Sequence, residues 1–522
     1  MSKMQHAACV ALLMVGAGGL LGWLAGHTDI LFADGLRYIE QARQIDRGAW
    51  ADGLTRSVDH PIYPMAIAAA HRLDGREGPD GWQEAAQLAS VVAGILLVVP
   101  LYLVAMELFG ASTAWLACLL VYLVPLSGHV MADTLSESTF LLFWTWGVWA
   151  ALRFLREGNF GWLPPTIGFG ALAYLSRPEG LLLPAALLAT LLLMPLMRST
   201  RMNWPRWGAA MAFLVLGPLL LVGPYVAIKG GLGTKPAVAR LLGTAPKSAA
   251  LAVERERPLD PDQSTAMTYA LAVRAMAAAV RTAVTLPLLS VAVVGLISVW
   301  PPGPRARPWL FMMIVMVAAA LALVRLHATG GYCSPRHAMV IALPLIGAAA
   351  AGMTRVLTSL AIPGRLLGLG EGRFKAGPAV WMAVLAGFVA INARELVAPI
   401  NAGWGGYRTA SEWLARQVNV PPDERIVDVT GWTLFYGQRP GYTFANLVEA
   451  PADPDLRWVV VREAHLHGPW AYCQQIRSLV AGLRPVASFP ENPGRRQAVV
   501  YIFDRKAGPS QTASKLPLSR RR

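Results

Sequence analysis

The chain has 522 residues, 55% of them hydrophobic and 15% charged, and its mean hydropathy is positive. That composition excludes an ordinary soluble globule and describes a polytopic membrane protein. The formal net charge of +15 does not mark a nucleic-acid partner, because the Lys and Arg residues lie mostly in short connections between apolar stretches, where they set topology, and in a C-terminal Ser-Arg-Arg-Arg tail. Cys9, Cys118, Cys333 and Cys473 show neither CxxC nor Cys/His spacing, so neither a zinc site nor a disulfide framework is expected, Cys333 with Cys473 being the one pairing to check.

The first apolar stretch, residues 7–26, has the charge and core of a signal peptide, but it lacks a small-residue cleavage site and more spans follow, so it reads as an anchor. Directly after it, Asp34-Gly35 opens LRYIEQARQID, in which Tyr38, Ile39, Ala42 and Ile45 recur at helical spacing with Arg37, Glu40, Gln41 and Gln44 opposite. This is an amphipathic helix suited to the membrane surface, closed by Gly48. A carboxylate at the bilayer edge is costly unless paired or hydrated, so Asp34 is either a functional acid or the helix N-cap. Asp59-His60-Pro61 then starts IYPMAIAAAHRL, too short to cross a bilayer and expected as a second interfacial helix.

Further candidate spans fall at 85–105, 112–129, 134–152, 161–176, 180–197, 208–227, 282–300, 308–326, 337–354 and 378–398, about eleven with the first. Arg153 and Arg156, then Arg198, Arg201 and Arg206, then Arg305 and Arg307, then Arg355, Arg365, Arg373 and Lys375 occupy alternate connections, which assigns those connections to the cytoplasm. The extracytoplasmic side then receives residues 27–84, the Gly128 to Asp133 turn, Ser176 to Gly180, the segment 228–281, the Ala328 to His337 loop and everything after Pro399. Segment 228–281 is rich in Gly, Pro and charge and reads as a lid or binding loop. The chain divides into a membrane domain, 1–399, a small extracytoplasmic α/β domain, 400–507, and a disordered basic tail, 508–522.

The polar residues with chemical potential cluster on that one side. Asp133 and Glu137 lie one helical turn apart between the third and fourth spans, as a shared face or as a polar cap on the fourth span. Arg177, in Ser-Arg-Pro-Glu-Gly, and Arg336, in Tyr332-Cys-Ser-Pro-Arg-His337, interrupt apolar sequence where Pro and Gly break the helix. Planar guanidinium groups there suit a phosphate, though each could instead snorkel to headgroups, and Arg177 could pair with Glu179. His60, His129 and His337 are isolated histidines.

In order, the acid opening the first-loop helix, the His60-Pro-Ile-Tyr63-Pro block, Glu107-Leu-Phe-Gly110 and Ser176-Arg-Pro-Glu-Gly180 make this chain resemble the GT-C glycosyltransferases. Within them it is most similar to the branch of protein O-mannosyltransferases and lipid A aminoarabinose transferases. The resemblance implies inverting transfer of a sugar from a polyprenyl-phosphate carrier to a lipid, glycan or protein acceptor of the cell envelope, at the outer face of the plasma membrane. It implies catalytic roles for Asp34 and Asp133, with Arg177, Lys229, Arg336, His60, Tyr63, Glu137, Tyr332 and His337 lining the substrate site. Many relatives carry a second acid directly after the first; here that position is Gly35, so no metal ligand or cofactor is required, although a divalent cation is not ruled out. A secondary transporter, or an anchored scaffold for envelope partners, are the competing classes.

Overall fold

A computed structural model of the chain describes residues 2–196, 204–232, 239, 265–299, 306–359, 361–363, 373–375, 378–417, 424–468, 471–490 and 499–507. The first anchor is α1 (Lys3–Gly26), followed by three short helices, α2 (Ala33–Asp46), α3 (Trp50–Thr55) and α4 (Ile62–Asp74), and by the long α5 (Gly78–Phe109). The bundle continues with α6 (Ala111–Leu123), α7 (Pro125–Ala132), α8 (Glu137–Glu157), α9 (Leu163–Ser176), α10 (Leu182–Leu193) and α11 (Trp204–Lys229). After it come α12 (Thr265–Val284), α13 (Leu286–Val299), α14 (Ala306–Gly330), α15 (Met339–Ser359) and α16 (Pro378–Leu396), with a small antiparallel pair, β1 (Ala361–Pro363) and β2 (Arg373–Lys375), before α16.

Seven helices among the described residues are long and apolar enough to cross a membrane, or up to nine if each of two bent pairs is one span. Each of the eleven expected segments contains helix among the described residues, but two are bent and two, 161–176 and 378–398, are not among the helices long and apolar enough to cross. The 112–129 segment breaks between α6 and α7 with a 71° bend. The cause is local: Pro125 lacks an N–H and holds Val124 in an extended conformation. The 282–300 segment is the second limb of a pair bent by 93°, with the β-branched Thr285 at φ 73° at the corner. Its first limb, α12, occupies part of what the sequence suggested was a lid; residues 233–238 and 240–264 of that segment, and the 508–522 tail, lie outside the described residues. Residues 161–176 form only the 14-residue α9 after a 3-10 turn, about 21 Å of helix and short for a bilayer core.

The C-terminal unit is α/β, as expected, with α17 (Gly406–Ala415), β3 (Arg425–Asp428), α18 (Trp432–Gly437), β4 (Gly441–Tyr442), β5 (Leu456–Arg462), α19 (Glu463–His467), α20 (Ala471–Leu479), β6 (Pro485–Phe489) and β7 (Val500–Asp504). Its sheet order is β4-β3-β5-β7-β6, parallel through the first three strands and antiparallel through the last. One face of this sheet shares a single hydrophobic core with the short helices after α1: Ile39, Ile67 and Trp82 pack with Tyr407, Trp458 and Ile502. The unit is thus fused to the end of the bundle that carries Asp34. Cys333 and Cys473 are free thiols, the first packed on the bundle core and the second inside the C-terminal unit, so the disulfide considered from sequence is not formed.

The tightest helix contact explains two glycines. A Cβ at Gly295 of α13 would sit 1.8 Å from the Ala348 carbonyl oxygen of α15, and one at Gly352 would sit 2.2 Å from that of Val291. Backbone meets backbone there, so nothing can rotate away. Gly295→Ala should therefore cost roughly 1–3 kcal/mol or more by overpacking, lowering the thermal unfolding temperature of the purified protein. Gly16→Ala, which meets nothing within 4 Å, should not lower it; equal effects from the two would remove the packing explanation.

Candidate active site

The chain places Asp34 in the first turn of α2, but the N-cap is Phe32 and no side chain caps that end, which corrects the capping alternative. The Asp34 carboxylate instead holds two guanidinium groups: Oδ2 lies 2.5 Å from Arg336 Nη2 and Oδ1 lies 3.0 Å from Arg37 Nη1. Arg37 reaches on through Nε to Asp59 Oδ2 at 3.0 Å. Burial works against the charge on Arg37, yet Asp59 and Asp34 outweigh it and push its pKa above the ordinary arginine value.

Arg336 belongs to a 3-10 turn, Pro335–Ala338, that leads into α15. Pro335 keeps the residue before it extended, so the helix cannot start earlier and the arginine stands at its mouth. The guanidinium lies 4.6 Å over the Phe32 ring and its Nε is 3.5 Å from Glu137 Oε1. That same Glu137 oxygen is 2.7 Å from Arg177 Nη1, and Arg177 Nη2 is 2.8 Å from Glu179 Oε1. Arg177 is extended because Pro178 follows it, which turns its side chain out of the α9 line. A continuous chain of alternating charge results: Asp59, Arg37, Asp34, Arg336, Glu137, Arg177, Glu179. Exposure separates the carboxylates, since Asp34 keeps 21% of its side-chain surface and Glu137 only 3%. Asp34 can meet a ligand; Glu137 holds the arginines in place.

Arg336 also has spare capacity. Its Nη1 is buried and has no hydrogen-bond acceptor among the described residues. A buried guanidinium N–H pointing at nothing is expensive in a finished core and useful in a site that awaits an oxyanion.

Asp133 sits apart from this chain of charges. It is the C-cap of α7, before α8 begins at Glu137, so it does not cap the fourth span. It is 2% exposed. Its Oδ1 accepts from the backbone N–H of Phe32 at 3.2 Å and of Thr134 at 2.7 Å, and its Oδ2 accepts from Asn401 Nδ2 at 2.9 Å. The geometry therefore supports a role in holding the Asp34 loop.

The remaining expected residues divide. Lys229 Nζ donates to the backbone carbonyls of Leu54 at 3.1 Å, Ser57 and Asp59 at 3.4 Å, fastening the loop before α4. Tyr63 is buried, with its hydroxyl on the Ala86 carbonyl and Ser90. His60 packs against the Tyr174 and Tyr225 rings, and His337 against Tyr332, edge to face. Arg37, Asp59 and Asn401 were missed. The first carried a signal, standing one turn after Asp34 on the same helix; Asn401 carried none.

A paired acid after Asp34 is sterically excluded: a Cβ at Gly35 would lie 2.1 Å from Thr134 Oγ1. Among the described residues, no group of three or more His, Cys, Asp or Glu could hold a metal ion, and the exposed carboxylate faces arginines. The residues present do not fit a divalent cation site.

The comparisons agree with this architecture. The sequence profile of the family described as dolichyl-phosphate-mannose-protein mannosyltransferase matches residues 60–222. No curated protein matches the chain. Among solved structures the chain is similar to ArnT from Cupriavidus metallidurans bound to undecaprenyl phosphate, at 14% identity and a TM-score of 0.53, covering 96% of this chain and 98% of that one. It is also similar to the oligosaccharyltransferase AglB from Archaeoglobus fulgidus, in complex with an inhibitory peptide and a dolichol-phosphate, at 13% identity and a TM-score of 0.56, covering 99% of this chain and 76% of that one. A second structure of the Archaeoglobus fulgidus oligosaccharyltransferase, with Zn and sulfate, matches with a TM-score of 0.60 at 13% identity, covering 90% and 71%. Both relatives are membrane glycosyltransferases of the GT-C fold, and the chain has that fold.

Burial pushes the Asp133 carboxyl up to about 6, while hydrogen bonds from Thr134, Asn401 and Phe32 pull the other way. An acid whose pKa is higher in the folded than in the unfolded chain favours folding while protonated and loses that contribution as pH rises through its folded value. That rise corresponds to about 3 kcal/mol. Asp133→Asn has nothing to ionise, so its unfolding temperature should gain on the wild type between about pH 4 and about pH 6. The slope of the difference is the test; a difference that does not change with pH would mean that Asp133 is charged throughout.

Proposed function

We propose that this protein transfers a sugar from a polyprenyl-phosphate donor to an envelope lipid, glycan or protein on the extracytoplasmic side of the plasma membrane, with Asp34 as general base and Arg336 as phosphate ligand. The single observation that carries the reading is the Asp34–Arg336 pair: an accessible carboxylate touching a guanidinium that still has an unused buried donor. The lipid phosphates bound to the two relatives support a donor of that class. The distribution of Lys and Arg along the sequence supports the sidedness.

The reaction is a displacement. The acceptor oxygen or nitrogen attacks the anomeric carbon as the bond from that carbon to the phosphate oxygen breaks; the acceptor proton passes to Asp34 and the polyprenyl phosphate leaves. The donor is a phosphodiester with one negative charge, whereas the leaving monoester develops a second. Arg336 therefore attracts the transition state more strongly than the ground state, which is the condition for catalysis. Phosphate arriving on Arg336 also competes with Asp34 for the guanidinium and leaves the carboxylate freer to take a proton. Arg177 and Glu137 fix Arg336 from behind.

Asparagine preserves the shape of Asp34 but cannot accept a proton as a carboxylate does. Asp34→Asn should bind donor and lose about 10²–10⁴ in kcat, measured with saturating donor and acceptor; near-normal turnover would remove the base assignment. Arg336→Lys keeps the charge but loses the planar fork, so it should raise the donor KM and lower kcat, by roughly tenfold or more in kcat/KM. If donor kinetics of Arg336→Lys and Arg336→Ala both match the wild type, phosphate is held elsewhere.

A further inference from the structure

The loop that delivers Asp34 is held by the C-terminal unit. Residues 29–32 connect α1 to α2 and are non-helical, yet Ile30 and Leu31 are fully buried. Buried backbone groups must find partners, and here four of the eight main-chain N–H and C=O groups of these residues find them beyond residue 400. Arg408 Nη1 donates to the Asp29 carbonyl at 2.7 Å and Asn401 Nδ2 to the Ile30 carbonyl at 3.2 Å. Both main-chain groups of Leu31 are taken: its N–H donates to the Tyr436 hydroxyl at 3.0 Å, and its carbonyl accepts from Trp432 Nε1 at 2.9 Å. The Tyr436 hydroxyl donates in turn to Gln83 Oε1 of α5 at 2.5 Å. The N–H of Phe32 goes to Asp133, whose other oxygen is held by Asn401. Gly431, just before α18, approaches Leu36 of α2 from the same side.

We infer that Trp432, Tyr436 and Asn401 are positioning residues for the proposed base, so that the C-terminal unit is part of the catalytic apparatus although none of its residues touches the reacting atoms. This rests on the reading of Asp34 given above. With Arg408, four side chains grip the three consecutive residues Asp29, Ile30 and Leu31, which restrains the loop against rotation about its own axis. Asp34 follows Leu31 by three residues, inside the first turn of α2, so its carboxylate inherits the position of Leu31. Misplacement of about 1 Å costs roughly 10² in rate where proton transfer must be in line. The grip is formed by hydrogen bonds and not only by packing, so it can be loosened by removing a single oxygen.

Tyr436→Phe does this, keeping the ring and its packing. In the full-length protein with lipid donor, kcat should fall roughly 10- to 100-fold while donor KM stays within about twofold, since Arg336 and Arg177 are untouched. The same substitution in an Asp34→Asn background should cause little further loss, because two changes acting through one group are not additive. Equal losses in both backgrounds would overturn the proposal in favour of a general structural effect. Amide hydrogen exchange supplies the second arm: residues 29–35 should lose protection in Tyr436→Phe while α5 keeps its own. Unchanged exchange, or faster exchange with unchanged kcat, would also overturn it. Should Asp34→Asn alone leave turnover intact, the base reading fails by itself, and the exchange data still decide whether the clamp exists.

Discussion

Everything at the mouth of the bundle depends on one shared cation. Arg336 lies between Asp34 and Glu137, 2.5 Å from one carboxylate and 3.5 Å from the other, in a setting where an unpaired charge would be costly. Each carboxylate has a second arginine, Arg37 for Asp34 and Arg177 for Glu137, and only Arg336 joins the two pairs. A buried ion pair is weak evidence of stability, because desolvation takes back most of the attraction. Its value here is positional. Seven charged side chains from five segments must interlock in one order, and removing any member leaves a neighbour with fewer partners. The site is therefore rigid while it waits for a ligand, and it can be reorganised only by something that brings its own negative charge.

That constraint explains the division of labour among the acids. Glu137 faces two arginines and is sealed from solvent, so it serves as ballast. Asp34 shares Arg336 with it, has Arg37 as its second partner, and remains accessible. Asp133, drawn toward neutrality by burial, has its oxygens occupied by the loop and the C-terminal linker. Three acids that look alike in sequence thus differ in function through exposure and partners alone.

Much of this was legible beforehand because it follows from composition and spacing. The span segments, the helix after Asp34 and the alternation of strand and helix beyond residue 400 are periodic features, and Arg336 and Arg177 announce themselves by breaking apolar sequence beside proline. What could not be read are contacts between distant segments. Asp34 and Arg336 are 302 positions apart, and no periodicity connects them. Lys229 looked like a phosphate ligand because it ends a span, yet its ammonium is consumed by three carbonyls. The bend at Thr285 has no glycine or in-place proline to betray it. Gly35 was noticed as a departure from related sequences, but the reason, a collision with Thr134 across the loop, needs three dimensions. Asn401 is an unremarkable asparagine until its two acceptors are seen.

A membrane helix satisfies its own backbone, which is why helices can cross lipid at all. The same economy leaves a helical bundle with few main-chain donors or acceptors to lend to a loop at its end. A segment that must be non-helical, buried and fixed, as residues 29–32 are, has to draw its partners from side chains or from a unit folded differently. Asp133 supplies the first kind and the α/β unit the second, through an indole, a phenol, an amide and a guanidinium that reach down from beyond residue 400. The shared hydrophobic core between the sheet and α2, α4 and the start of α5 then has a clear purpose: it holds those four polar groups at a constant height above the bundle. On the reading proposed above, a GT-C bundle with a small sheet docked on it is a division between two materials, with the helices assigned to the lipid donor and the sheet-based unit to the placing of Asp34.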